Sequence, residues 1–179
     1  MNKVTTVKEA VKRLKSGDTL LVGGFLKSGA PETILEGVLN HNDATDLTIV
    51  SNDSGTVEMN TIKIMQQGRV KKVIASYIGL NPATGQMLMD NPDSVELCPQ
   101  GTLAERIRAG GAGIVAFYSP VGVGTIVENG KEKRNFNGKD YLLETSLRGN
   151  VAFIKATIAD KAGNCFLKGS TKSFNSVMA

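Results

Sequence analysis

The stretch Thr19-Leu20-Leu21-Val22-Gly23-Gly24-Phe25-Leu26-Lys27-Ser28-Gly29-Ala30-Pro31 reads as a short buried strand, a glycine loop and the start of a helix. That order leaves backbone N–H groups and a helix N-terminus near one another, an arrangement that favours a phosphate or carboxylate. It also lies at the carboxyl end of a strand, where open α/β sheets usually bind ligands. A second reading stands beside it: the glycines allow a tight crossover from strand to helix and nothing more. Neither common nucleotide pattern fits. A Walker loop needs Gly-Lys followed by Ser or Thr, and here Ala30-Pro31 follows Gly29. The dinucleotide pattern needs Gly-x-Gly-x-x-Gly, and Gly23, Gly24 and Gly29 are spaced differently.

Helical and strand patterns alternate on both sides of this loop. Upstream, Thr6-Val7-Lys8-Glu9 has the form of a capping box, and Val7, Ala10, Val11 and Leu14 recur at helical spacing. Downstream, Pro31 opens a second amphipathic helix through Ile34, Leu35, Val38 and Leu39. Leu47 to Val50 reads as a strand, 57–67 as a helix, 70–77 as a strand and 95–97 as another. Thr102-Leu103-Ala104-Glu105 is a second capping box, predicting a helix to about Ala109 that Gly110 to Gly113 terminate. Ile114 to Tyr118 then forms a strand. Beyond it the pattern becomes β-rich: Thr125 to Glu128 before Asn129-Gly130, and Asn137-Gly138 before Tyr141-Leu142-Leu143, carry hairpin signals. Val151 to Ile158 and Phe166-Leu167 flank a turn at Lys161 to Asn164. The expected fold is therefore α/β: a single domain over 1–179 with a largely parallel open sheet flanked by helices, plus a β-rich hairpin section.

Composition narrows the function classes. The 179 residues suit one domain, and 41% hydrophobic against 21% charged residues is an ordinary globular balance. A net charge of +4 admits an anionic ligand, but Lys and Arg are scattered and aromatics make up only 5%, which argues against nucleic acid. No stretch approaches the about 18 apolar residues of a membrane span, and Met1 to Thr6 carries no apolar signal core. Cys98, Cys165 and the single His41 have no metal-ligand spacing, so no metal is expected. A cytoplasmic protein with reduced thiols follows.

The glycine loop also carries a resemblance. Leu20-Leu21-Val22 followed by Gly23-Gly24-Phe25, Gly29 and Pro31 resembles the first signature of family I CoA-transferases, with Ser16-Gly17 where the family usually has Asp or Asn before Gly. Val70 to Gly79 and Asn81-Pro82-Ala83-Thr84-Gly85 resemble alpha subunits that use acetate, butyrate or acetoacetate. Pro99 to Gly113 followed by Pro120-Val121-Gly122-Val123-Gly124-Thr125 is close to diagnostic, and Phe174-Asn175 to Met178-Ala179 resembles the family's Asn-Phe-Asn-Pro segment with Ser176 in place of proline. The resemblance covers essentially the whole chain. Family alpha subunits continue beyond this point with an apolar strand and an acidic tail, so a C-terminal portion of a few dozen residues is expected to be missing.

The resemblance implies ping-pong transfer of coenzyme A from an acyl-CoA to a short-chain carboxylate, with CoA as substrate and no permanently bound cofactor. It places the nucleophilic glutamate on a partner beta subunit, in an α2β2 assembly, so no catalytic nucleophile is expected here. Glu128-Asn129-Gly130 mimics the beta-subunit motif but reads as a strand end and turn. Gln100 and Gly101, before a capped helix, are expected to line the site, with Asn52 a further candidate at a strand end. Gly23, Gly24, Phe25, Leu26, Lys27, Ser28 and Gly29 are expected to contact CoA, Lys27 through a phosphate. The alternative is a non-catalytic ligand-sensing domain of the same broad fold, binding a sugar phosphate or a CoA ester.

Overall fold

A computed structural model describes residues 1–179. Along the chain run α1 (Val7–Val11), β1 (Thr19–Val22), α2 (Glu32–His41), β2 (Leu47–Asp53), α3 (Asn60–Gln66), β3 (Val70–Tyr77), α4 (Pro82–Asp90) and β4 (Val95–Leu97). Then follow α5 (Gln100–Ala112), β5 (Ala116–Ser119), β6 (Lys133–Phe136), β7 (Lys139–Thr145), β8 (Val151–Phe153), β9 (Ile158–Ala159), β10 (Cys165–Phe166) and α6 (Asn175–Met178). Two compact units divide these elements: Met1–Leu97 with Gly149–Ala179, and Cys98–Arg148.

The first unit is an α/β layer structure on a five-stranded sheet of order β4-β3-β2-β1-β8, parallel at every pairing. Parallel strands buried on both faces require continuous apolar runs, which Leu20-Leu21-Val22 and Leu47 to Val50 supply. Leu20, Leu47, Ile49 and Val73 are fully buried and meet Val11, Leu14, Leu35 and Val38 in the core. Thr6 caps α1 by accepting the Glu9 amide at 3.2 Å, while the Glu9 carboxylate turns to Lys12 at 2.7 Å. Helix α4 has a local cause that the hydrophobic pattern hides. Asn81 accepts the Thr84 amide at 3.2 Å and Pro82 sits at the first helical position, a strong start signal in a stretch with little amphipathicity.

The β-rich expectation divides. Val151 to Ile158 is not one strand: Val151–Phe153 joins the parallel sheet beside β1, and Ile158–Ala159 pairs antiparallel with β10 across the Lys161 to Asn164 turn. The Asp160 carboxylate accepts the amides of Ala162 and Asn164, closing that turn.

The second unit packs α5 against the antiparallel sheet β5-β7-β6. Asn137 and Gly138 have φ of 52° and 80°, the paired left-handed geometry of a tight hairpin between β6 and β7. Two expectations need correction here. Thr125 to Glu128 is not a strand; Ile126–Glu128 is a 3-10 turn. The Thr125 hydroxyl donates to the Gly122 carbonyl and accepts the Val127 amide, so local side-chain bonding replaces a ladder. Helix α5 also starts earlier and ends later than its capping box implies. Leu103 N–H bonds the Pro99 carbonyl at 2.8 Å, making Gln100 the first helical residue, and the buried Thr102 hydroxyl has no partner. Gly110 and Gly111 stay helical, and Gly113 at φ 75° terminates the helix.

Candidate functional site

The loop between β1 and α2 is braced from three sides. Gly23 N–H bonds the Phe153 carbonyl and Gly24 N–H the Ser173 carbonyl, both at 2.9 Å. Phe25 and Ser28 exchange both backbone bonds at 2.9 Å, pinching the tip around Leu26 at φ 49°. Leu26 N–H reaches the Asp53 carboxylate at 2.8 Å. Five amides expected to face a ligand are therefore spoken for within the protein. Those of Lys27, Gly29 and Ala30 have no protein acceptor.

Two of the glycines are required by close approach. A Cβ on Gly23 would stand 2.0 Å from Asn175 Oδ1, and one on Gly29 would stand 2.8 Å from Asn175 Nδ2. Asn175 is fully buried; its Nδ2 donates to the carbonyls of Gly29 and Thr171, and its Oδ1 accepts the Lys155 amide, each at 2.9 Å. The crossover reading of the loop is thus part of the truth: these glycines make room for a side chain from far along the sequence.

A cleft of about 500 Å³ opens at the carboxyl ends of β1 and β8. Lys27, Ala30 and Glu32 from the loop and α2 line it, together with Phe153, Ile154 and Lys155 from the end of β8 and the segment after it. Lys27 pairs with Glu58 and holds that carboxyl below the ordinary carboxylate range. Glu32 accepts the Asn60 amide at 3.0 Å through Oε2, while Oε1 is buried without a partner. The cleft thus offers backbone donors, the exposed Lys155 and an apolar floor. This suits a ligand that is only partly anionic.

The other expected residues separate. Asn52 is only 1% exposed and its Nδ2 lies 3.4 Å from Asp53 Oδ2, behind the loop rather than open to solvent. Gln100 and Gly101 are exposed on the first turn of α5, in the other compact unit. In that unit Arg106 donates to the Thr145 carbonyl and Arg108 pairs with Glu105. Glu128 is occupied on both oxygens, by Lys133 Nζ at 2.5 Å and the Gly124 amide at 2.7 Å, which together hold its carboxyl below the ordinary range. No group of three or more His, Cys, Asp or Glu side chains is placed to hold a metal ion, and no helix is long and apolar enough to cross a membrane. Sequence reading missed Asp53, whose signal was an acid ending a buried strand just before Ser54-Gly55. It also missed Ile154 and Lys155, which no local pattern marks.

A family profile described as Coenzyme A transferase matches residues 4–179. The chain belongs to the coenzyme A transferase family. This coenzyme A transferase chain is 49% identical, over 92% of its length, to the acetoacetyl-CoA:acetate/butyrate CoA transferase alpha subunit of Clostridium acetobutylicum, covering 75% of that protein. It is 43% identical to one subunit of a succinyl-CoA:3-ketoacid coenzyme A transferase from Helicobacter pylori, over all of its own length and 77% of the relative. Its fold is shared with an acyl-CoA transferase apoenzyme from Escherichia coli, with a TM-score of 0.80 at 23% identity. That match covers 93% of this chain and 36% of the solved one. Both the α/β fold with its parallel sheet and the family resemblance read from the motifs are borne out.

Proposed function

We propose that this chain, its two compact units acting as one functional domain, is the alpha subunit of a short-chain acyl-CoA:carboxylate CoA-transferase. It works with a beta subunit, as α2β2, on acetate, butyrate or acetoacetate. The observation that carries this reading is the 49% identity, over 92% of the chain, to an alpha subunit named for acetoacetyl-CoA, acetate and butyrate.

In this reading a glutamate on the beta chain attacks the acyl-CoA carbonyl, and CoA leaves as the thiolate, giving a mixed anhydride. The thiolate then attacks the glutamyl carbonyl, forming an enzyme–CoA thioester and releasing the first acid. A second carboxylate reverses these steps and carries CoA away. A carboxylate is a weak nucleophile, so binding energy from the remote part of CoA must be expressed in the transition state. Residues 23–29 contribute to that binding, with Lys27 directed at a phosphate once released from Glu58. Gln100 and Gly101, at the open first turn of α5, donate to the developing oxyanion. Asn52 contributes by backing Asp53.

The test is co-expression with the cognate beta subunit, followed by a coupled assay of CoA transfer from acetoacetyl-CoA to acetate, butyrate and succinate. Transfer to acetate or butyrate by the pair, and none by the chain alone, is expected. Normal transfer by the chain alone, abolished by Glu128→Ala, would overturn the two-chain reading. In parallel titration calorimetry, tight sugar-phosphate binding without a response to CoA esters would replace the enzyme reading by a sensor.

A further inference from the structure

Asn175 grips two peptide groups at once, and each has its other end at the cleft. Its Nδ2 donates to the Gly29 carbonyl and its Oδ1 accepts the Lys155 N–H, both at 2.9 Å. Every peptide bond in the chain is trans, so the C=O and N–H of one peptide plane point in opposite directions. Holding the Gly29 carbonyl therefore turns the Ala30 N–H away from Asn175. Holding the Lys155 N–H likewise turns the Ile154 carbonyl away. Ala30 and Ile154 both line the cleft. Ala30 is 3% exposed and its amide has no protein acceptor, a costly state unless something in the cleft answers it. A hydrogen bond at one end of a peptide also polarises the other end, strengthening both cleft groups.

The seat of Asn175 is itself strained. Phe174 takes φ 49°, ψ −15°, a left-handed geometry rare for a bulky residue, and this kink delivers Asn175 between the two segments.

We propose that Asn175 is a positioning residue that presents the Ala30 N–H and the Ile154 C=O as a donor–acceptor pair for an amide group of the ligand. A secondary amide offers one acceptor and one donor on opposite sides, the complement of that pair. The inference rests on the CoA-transferase reading, in which the amide belongs to the pantetheine arm of the acyl-CoA.

The test uses the reconstituted alpha–beta pair with two donors, acetoacetyl-CoA and the ethanethiol thioester of acetoacetate, which lacks any amide. Asn175→Asp keeps an acceptor for the Lys155 N–H but sets a carboxylate oxygen against the Gly29 and Thr171 carbonyls. Its kcat/KM for acetoacetyl-CoA is expected to fall about tenfold, the worth of one net hydrogen bond, while that for the amide-free thioester changes less than about twofold. Asn175→Ala, which releases both peptide groups, should show the same selective loss. An equal fall for both donors, or a change in thermal stability alone, overturns the positioning role. If the wild-type pair transfers no CoA at all, the underlying function fails instead, and the two failures are told apart by the wild-type rate.

Discussion

Asp53 reaches back 27 residues to hold the tip of the glycine loop: its Oδ2 accepts the Leu26 N–H at 2.8 Å, and its Oδ1 accepts the Gly55 N–H at 2.9 Å. At 7% exposure this carboxylate ties the loop after β1 to the end of β2. Asp53→Ala leaves two backbone donors without their acceptor and is expected to cost about 2 kcal/mol of stability. Asp53→Asn keeps one acceptor oxygen and is expected to cost about half as much. Urea denaturation of the chain measures both, and equal stability of wild type and Asp53→Ala would refute the anchoring role.

Thr102 tests the start of α5. A capping threonine replaced by valine costs about 1 kcal/mol. Here the Thr102 hydroxyl is buried and unpartnered inside a helix that begins at Gln100. Thr102→Val is therefore expected to be neutral or stabilising, since it removes a buried polar group at nearly constant shape. A loss near that of a cap, read from the thermal midpoint, would restore the later helix start.

Arg69 ties the end of α2 to the start of β3. Its guanidinium donates to the carbonyls of Ala44 and Val38 and to the side chains of Gln67 and Asn42, and burial pushes its pKa down. Arg69→Lys cannot reproduce this fork of donors and is expected to lose about 2 kcal/mol, close to Arg69→Met. Full rescue by lysine in a denaturation series would contradict the geometry.

Glu128 and Lys133 set a pH window. The Lys133 hydrogen bond, then the Gly124 amide, hold the Glu128 carboxyl below its ordinary range, and Glu128 raises Lys133 above the ordinary lysine value. A depressed acid contributes stability that is fully present above about pH 4.3, its unfolded value, and is lost as pH falls through the folded pKa. The raised lysine contributes below about pH 10.4 and loses its contribution as pH rises through its folded pKa. Lys133 is exposed and Glu128 only half-buried at the surface, so the effect on stability is small. Carbon-13 NMR should place the Glu128 midpoint below the ordinary range and move it upward in Lys133→Met. An unchanged midpoint would remove the pair.

Local sequence determined the elements of this protein and their order. The apolar runs at Leu20-Leu21-Val22 and Leu47 to Val50 can only be buried strands, Thr6 and Pro31 start helices by capping and fixed φ, and Asn137-Gly138 dictates a tight hairpin. Those signals work over a few residues, and so they were legible, as was the family carried by motif spacing. Tertiary structure decided the rest. Val151–Phe153 became the edge strand beside β1 rather than half of a hairpin, because parallel pairing is a contact between distant segments. Of the seven loop amides only those of Lys27 and Gly29 keep no protein acceptor, with Ala30 beyond them, because Phe153, Ser173 and Asp53 take three and Phe25 and Ser28 take each other's. Gly23 and Gly29 need to be glycine because of a side chain at position 175, and no reading of the loop alone could show that. Periodicity records which face of an element is buried; it does not record which distant polar group will claim a backbone donor.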